Sequence, residues 1–398
     1  MNLWQPALVL LTVALALALR FTRNFRGYQF TTWIVVAVTA AMLYPAQFLH
    51  VGNFDLRSPW LILTVVQLVM FGMGTQMSLR DFAGVIKSPR GVFVGVLCRF
   101  TVMPLVGWAL IKIFHFEPEI AAGVILIGSC SSGLASNVMA YLAKSNLALS
   151  VTITAVTTVL AVVLTPLWMK LLAGTLVEVK LVAMMLEIVK IVLVPVGAAM
   201  LHDYLKFAGK RGWKIVFALA AVAALWLAFL ALGGWVWIQS NWTATGLTVA
   251  GISGYLFGAI LFGVVYHQLT LRFPKLDARI PRLSMAGIVY FTAVTTAAGR
   301  DNLLHVGALL FLVAVLHNTA GYTLGYWLAR AAGLDKNSAR SVAFEVGIQN
   351  GGMASGIAGA AGKLGTMGLA AAIFSPWMNV SGSVLANYWR KRPVTSEP

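Results

Sequence analysis

The chain has 398 residues, 60% of them hydrophobic and only 10% charged, with a net charge of +17; a soluble domain carries about 25% charged residues. A mean hydropathy of +0.85 leaves too little polar surface to cover a water-soluble globule, and the same figures exclude intrinsic disorder. The two cysteines, Cys98 and Cys130, stand in no CxxC pair and so indicate neither a disulfide scaffold nor metal or redox chemistry.

Apolar stretches of about 20 residues, the length that crosses a bilayer, predict thirteen helices in chain order: 3–20, 29–49, 58–79, 90–113, 118–143, 147–173, 180–204, 213–238, 243–270, 283–299, 303–330, 338–361 and 366–389. The first lacks the basic start and small-residue cleavage site of a signal peptide and reads as a membrane helix. If alternate loops face the cytoplasm, most of the 29 basic residues collect inside, from Arg20, Arg23 and Arg26 through Arg80, Lys87, Lys206, Lys210 and Arg272 to Arg390, Lys391 and Arg392. The outer ends hold Arg57, Lys112, Lys170, Lys180, Arg300 and Lys363. This asymmetry predicts a multi-pass protein of the cell (inner) membrane with its amino terminus outside and its carboxyl terminus in the cytoplasm. The positive charge then reports topology and attraction to anionic lipid, not nucleic-acid binding. Trp60, Trp108, Trp235, Trp237, Trp242 and Trp377 fall near span ends, where interfacial aromatics belong.

Two spans carry helix-breaking sequences near mid-depth, Gly-Ser-Cys-Ser-Ser-Gly-Leu-Ala-Ser-Asn-Val at 128–138 and Glu-Val-Gly-Ile-Gln-Asn-Gly-Gly-Met-Ala-Ser-Gly at 345–356. Freed backbone groups survive at that depth only beside protein or a water-filled cavity. Gly133, Ala135 and Ser136 match Gly352, Ala354 and Ser355 at an offset of 219, which also pairs Cys98 with His317, Arg99 with Asn318 and Trp108 with Trp327. The first segment runs inward and the second outward, the pattern of an inverted-repeat transporter whose interrupted helices meet near the midplane. The competing reading, close helix packing through small residues, suits most of the 37 glycines. No HExxH, GxSxG, P-loop or paired-aspartate motif is present, so neither an enzyme nor an ATP-driven pump is indicated.

At these residues the sequence resembles the bile acid:sodium symporter family. The matching stretches are RFTVMPLVGWAL ending at 110, ASNVMAYLAKSNLALSVTIT and LTPLWMKLLAG within 128–174, LHNTAGYTLGY at 316–326, EVGIQNG at 345–351 and NVSGSVL at 379–385. The resemblance implies an all-α polytopic fold of ten helices in two inverted repeats, with a core domain at 83–179 and 303–389 and a panel domain at 29–82, 180–205 and 281–302. Residues 1–28 and a helix pair at 206–280 would be additions, and 390–398 a cytoplasmic tail.

The resemblance further implies a first sodium site at Ser136, Asn137, Ser150, Thr154 and Glu345, all with side-chain oxygen. A second would use Glu345, Gln349 and the carbonyls of Val346 and Ile348, completed by a glutamine whose position is Arg99 here. A midplane arginine costs at least about 2.5 kcal/mol and needs a partner; Glu345 is the expected one, which would make the guanidinium a tethered cation in the second site and reduce coupling to one sodium or none. The alternative is that Arg99 snorkels away or pairs with a carbonyl and both sites remain. Substrate contacts implied by the resemblance are Ser131, Ser132, Gly133, Leu134, Asn350, Gly351 and Asn379, with His317 and Asn318 as cavity candidates. Ser131 and Leu134 depart from the family's usual proline and threonine. Glu187 and Lys190, three apart on one span, read as a structural pair before a proton relay. The expected function is sodium-coupled uptake of a small organic anion by alternating access, with no organic cofactor. A sodium-independent or proton-coupled carrier of the same fold is the alternative.

Overall fold

The computed structural model describes residues 4–21 and 29–394. Helices α1 (Trp4–Phe21), α2 (Gln29–Leu43), α3 (Pro45–Leu49) and α4 (Pro59–Gly74) lead through a 3-10 turn (Leu79–Ala83) and α5 (Gly84–Lys87) into α6 (Pro89–Ile113). There follow α7 (Pro118–Ser129), α8 (Leu134–Leu142) and α9 (Leu147–Trp168), then α10 (Leu181–Ile188) and α11 (Val194–Phe207). Next come α12 (Lys210–Phe229), α13 (Trp235–Asn241), α14 (Ala244–Arg272), α15 (Lys275–Ala298), α16 (Arg300–Ala331), α17 (Lys336–Gly347), α18 (Gly351–Ala360) and α19 (Gly368–Arg390). A two-stranded hairpin at His50–Val51 and Phe54–Asp55 is the one sheet among the described residues.

Among the described residues seven helices are able to cross a membrane by length and composition, and α4 with Leu79–Lys87, bent by 59°, makes an eighth if read as one span. Of the other expected spans, three are shorter pieces, Trp4–Leu19, Thr32–Leu43 and the half-helix Pro118–Ser129, while 283–299 lies in the 24-residue α15 and 338–361 is divided between α17 and α18. Several expected boundaries move for local reasons. The span expected at 29–49 stops at Leu43 because Pro45 opens a separate short helix. The one expected at 283–299 begins at Lys275 and carries Pro281 inside it. The helix expected at 213–238 is kinked where Gly233 takes a φ of +107°, in the left-handed region that glycine adopts freely. Arg23 and Arg26 lie outside the described residues.

Both helix-breaking segments are interrupted. The first breaks over 130–133 and the second over 348–350, and they cross there: Ser132 and Gln349 form an isolated antiparallel bridge, and the Asn350 N–H donates to the Ser131 carbonyl at 3.0 Å. The crossing needs glycine, since a Cβ on Gly133 would come within 2.6 Å of the Gln349 carbonyl oxygen. Both breaks are deeply buried, with α6 and α16 packed on each other and on α17, and α9 and α19 flanking. The offset of 219 runs well beyond the motifs. In chain order α4, α6, the α7/α8 pair and α9 recur as α15, α16, the α17/α18 pair and α19, while α1 and α2 fall opposite α12/α13 and α14.

Candidate functional site

A broken helix exposes its last carbonyls and its first N–H groups, which nothing within the helix can satisfy. At this crossing the freed carbonyls are taken up by side chains. The Ser129 carbonyl accepts from Thr165 Oγ1 at 2.7 Å, the Glu345 carbonyl from Ser132 Oγ at 2.9 Å, and the Gly347 carbonyl from Asn318 Nδ2 at 2.8 Å. Gln349 Nε2 donates to the carbonyls of Val346 and Gly347 at 2.9 and 3.2 Å.

Arg99, on α6 and with 0% exposure, reaches the same place. Its guanidinium donates to the carbonyls of Cys130, Ser131 (3.1 Å) and Val346 (3.4 Å). The expected ion pair with Glu345 is not formed. Two helix carboxyl ends, each bearing partial negative charge, converge on α6, and a planar five-donor group spans both of them. The Glu345 side chain is engaged elsewhere, so carbonyl pairing replaces the carboxylate partner.

Glu345 lies three residues before the second break, and its carboxylate is held by hydroxyls from the first half. Ser136 Oγ donates to Oε1 at 2.7 Å, Ser150 Oγ to Oε1 at 2.5 Å, and Thr154 Oγ1 to Oε1 and Oε2 at 3.1 and 2.9 Å. The Asn137 amide oxygen lies 2.9 and 3.2 Å from the same Ser150 and Thr154 hydroxyls, an alternative acceptor for a hydrogen that each can give only once. Ser150 and Thr154, four apart on α9, share one face; Ser136 and Asn137 come from the first turn of α8. All five expected first-site residues therefore converge, and Glu345, Ser136, Ser150 and Thr154 are 0% exposed. Hydroxyls that donate to a carboxylate keep lone pairs free, so the donor set is hard oxygen with one formal negative charge and suits a small monovalent cation. Of the expected second-site residues, Arg99, Val346 and Gln349 meet, and Gln349 Oε1 is buried without a partner.

On the other side of the crossing lies a cavity of about 370 Å³ between α8, α18 and α19 and the helices α4 and α15. Of the expected substrate residues, Gly133, Leu134, Asn350, Gly351 and Asn379 line it. Ser131, Ser132, His317 and Asn318 do not. Ser131 Oγ lies by Met353 Sδ (3.7 Å) and Asn350 Nδ2 (3.4 Å), Ser132 and Asn318 bond the carbonyls named above, and His317 Nε2 meets the Met103 carbonyl at 2.9 Å. These four belong to the scaffold behind the crossing. Sequence reasoning missed the facing wall, made by Met70 and Met73 on α4, Gln76 just after it, and Ser284, Met285 and Ile288 on α15. No sequence signal marks which faces of those helices meet the core, because packing decides it.

Among the described residues, none lining the cavity carries a formal charge. The first residues of α8 and α18 line it, and a helix amino end carries partial positive charge. A larger cavity, about 580 Å³, lies away from the crossing between α4, α11 and α14 and is walled mainly by apolar side chains and glycines. Glu187 and Lys190 form the expected ion pair, with Lys190 Nζ 5.7 Å from the Tyr255 ring centre, apart from both sites.

Comparison with known proteins bears on this arrangement. Residues 63–242 match the profile of the Sodium Bile acid symporter family. The chain is 32% identical over 374 residues, 94% of each chain, to the uncharacterized sodium-dependent transporter YocS of Bacillus subtilis (strain 168). It is 28% identical to the probable sodium/metabolite cotransporter BASS1, chloroplastic, of Arabidopsis thaliana, covering 91% of this chain and 73% of that one. The human ileal sodium/bile acid cotransporter is 29% identical, covering 73% of this chain and 66% of its own. In fold, the chain is similar to the sodium proton antiporter MjNhaP1 of Methanocaldococcus jannaschii, with a TM-score of 0.54, 11% identity and 98% of both chains covered.

Proposed function

The chain belongs to the sodium bile acid symporter family, and we propose that it takes up a small organic anion, bile-acid-like or a simpler carboxylate, driven by sodium held at Glu345. The observation that carries this reading is the placement of a sealed carboxylate with its hydroxyl and amide oxygens directly behind the wall of an uncharged cavity. Sodium on Glu345 rigidifies the crossing from behind. The amino ends of α8 and α18 and the amides of Asn350 and Asn379 receive the anion in front. The methionine-rich facing wall accommodates an apolar body of variable shape. Core moving against panel would then expose the cavity to alternate sides, with the amino terminus outside and the carboxyl terminus cytoplasmic.

We propose that one sodium is carried: Arg99 pairs with carbonyls, as in the alternative that leaves both sites, but one of them is the Val346 carbonyl of the second site, so the guanidinium stands where that ion would. The same observation favours the second reading, a sodium-independent or proton-coupled carrier in which Arg99 replaces a bound cation outright. The helices expected as additions, 3–20 and 213–270, are better read as the outer members of two six-span halves joined by α10/α11. Their positions at the repeat offset, and a fold likeness that covers 98% of both chains, support this.

The test is the melting temperature of the detergent-solubilised protein in sodium, potassium and choline salts, beside Arg99→Gln. A ligand that binds only the folded state raises its stability, by about 2.7 kcal/mol at a hundred times its Kd. Sodium-specific stabilisation of the wild type is expected, with a steeper sodium dependence in Arg99→Gln. Absence of any sodium effect in the wild type, restored by Arg99→Gln, would select the sodium-independent carrier.

A further inference from the structure

Behind the crossing, three side chains connect the end of the helix bearing Glu345 to the wall of the cavity. Asn318, on α16 and 2% exposed, donates through Nδ2 to the carbonyl of Gly347, the last residue of α17. Its Oδ1 accepts from Ser381 Oγ at 2.5 Å. Ser381 Oγ also lies 3.3 Å from the Met378 carbonyl, and Tyr322, one turn along α16 from Asn318, places its hydroxyl 3.3 Å from both Met378 O and Ser381 Oγ. Met378 and its neighbour Asn379 line the cavity.

Each of these hydroxyls has one hydrogen to give. Ser381 donates either to Asn318 or to the Met378 carbonyl. In the first arrangement Tyr322 satisfies Met378; in the second Tyr322 donates to Ser381 and Asn318 Oδ1 loses its donor. The network thus has two discrete hydrogen-bond patterns, one tied to the end of α17 and one to the cavity wall, and an element with two states is the physical requirement for carrying coupling between sites. Asn318 stands at the repeat-equivalent place of Arg99, yet it serves only the second half's carbonyl end, the end of the helix that carries the ion-binding carboxylate.

We propose that Asn318, Ser381 and Tyr322 are positioning residues that transmit occupation of the Glu345 site to the α19 wall of the cavity. The inference rests on sodium binding at Glu345, and its test separates the two. Ser383, on the cavity-lining stretch of α19, is replaced by Ser383→Cys and its maleimide labelling rate is followed as potassium is exchanged for sodium at constant ionic strength, alongside the melting temperature. Buried Cys98 and Cys130 give a low background. In the parent, sodium is expected to change both, with the same midpoint and a labelling change of about fivefold or more. In Asn318→Ala, and in the milder Ser381→Ala and Tyr322→Phe, sodium still raises the melting temperature but labelling ceases to respond. A labelling response preserved in all three variants overturns the relay. So does a parent that melts higher in sodium without any labelling response. Loss of the sodium-dependent melting shift in Ser381→Ala would place the network inside the ion site and likewise overturn a transmitting role. A parent indifferent to sodium in both readouts defeats the ion site itself, and the relay with it.

Discussion

The two crossing segments share a backbone plan and differ in chemistry. The α7/α8 and α17/α18 pairs break at equivalent places, and each presents carbonyl ends behind and amino ends in front. At the offset of 219, however, Glu345 corresponds to Leu126, Ser136 and Asn137 to Ser355 and Gly356, and Ser150 and Thr154 to Leu369 and Ile373. One half supplies the carboxylate and the other supplies the hydroxyls and amide; the mirror-related place has no carboxylate or amide and keeps a hydroxyl only at Ser355, with Leu126 and Leu369 fully buried. The repeat therefore provides two broken helices, while the oxygen-rich cluster is built on one side of the crossing only.

The largest effect expected from this asymmetry is at the acid itself. Glu345→Gln retains an acceptor for the three hydroxyls but loses the charge, and should abolish sodium-specific stabilisation and lower sodium-dependent uptake by about a hundredfold or more, read as roughly 3 kcal/mol of lost ion and transport coupling. A sodium-stabilised Glu345→Gln protein would show that the carboxylate does not hold the ion.

The two carbonyl-capping residues at equivalent places should also be unequal. Arg99→Ala strands the carbonyl of Cys130 and weakens the capping of Ser131, where the Asn350 N–H remains, and of Val346, where Gln349 remains. At about 1–3 kcal/mol for each buried group left unsatisfied, its melting temperature should fall well below that of Asn318→Ala, which strips one donor from Gly347, where Gln349 remains. Equal losses would mean that water replaces the guanidinium.

A smaller contrast is expected between the paired glycines. Gly133→Ala drives a methyl against the Gln349 backbone at 2.6 Å, whereas Gly352→Ala meets the ends of the Met70 and Val69 side chains at 3.0 and 3.2 Å, and Met70 can swing aside. Gly133→Ala should cost about 1–3 kcal/mol by overpacking and Gly352→Ala clearly less, measured by thermal melting in sodium-free buffer.

The smallest effect lies at the helix starts. Asp335 caps α17, accepting from the N–H groups of Asn337 and Ser338 at 2.8 and 3.0 Å, while Glu117 at the start of α7 makes no side-chain cap. Asp335→Ala should cost about 1 kcal/mol and Glu117→Ala nothing measurable. Burial alone would raise the Asp335 pKa, but the hydrogen bonds from Ser338 and Asn337 hold it below the usual carboxylate value. The capping contribution is then full above the unfolded-chain pKa and is lost as pH falls through the depressed folded value, so the difference between wild type and Asp335→Ala should close in acid.

Much of this was legible in the chain. Composition fixed a membrane solvent, and the spacing of apolar runs located most helices because bilayer thickness sets their length. The glycine and hydroxyl clusters at 128–138 and 345–356 located both breaks, since a span so poor in helix formers persists only where other protein groups satisfy it. The resemblance brought Ser136, Asn137, Ser150, Thr154 and Glu345 together before any coordinates did, and the five converge.

Only the tertiary structure decided where Arg99 points. Sequence pairs opposite charges, but the free carbonyls of two crossing helix ends exist only once the chain has folded, and they claim the guanidinium first. For the same reason Ser131, Ser132, His317 and Asn318, polar residues that read as ligands, are bonded to the backbone or to neighbouring side chains behind the cavity, while Met70, Met73, Met285 and Ile288, which read as ordinary apolar residues, line its facing wall. Hydropathy and spacing are local properties carried by each segment. Which face of a helix meets a crevice depends on contacts with segments hundreds of residues away, and that information is held in the packing.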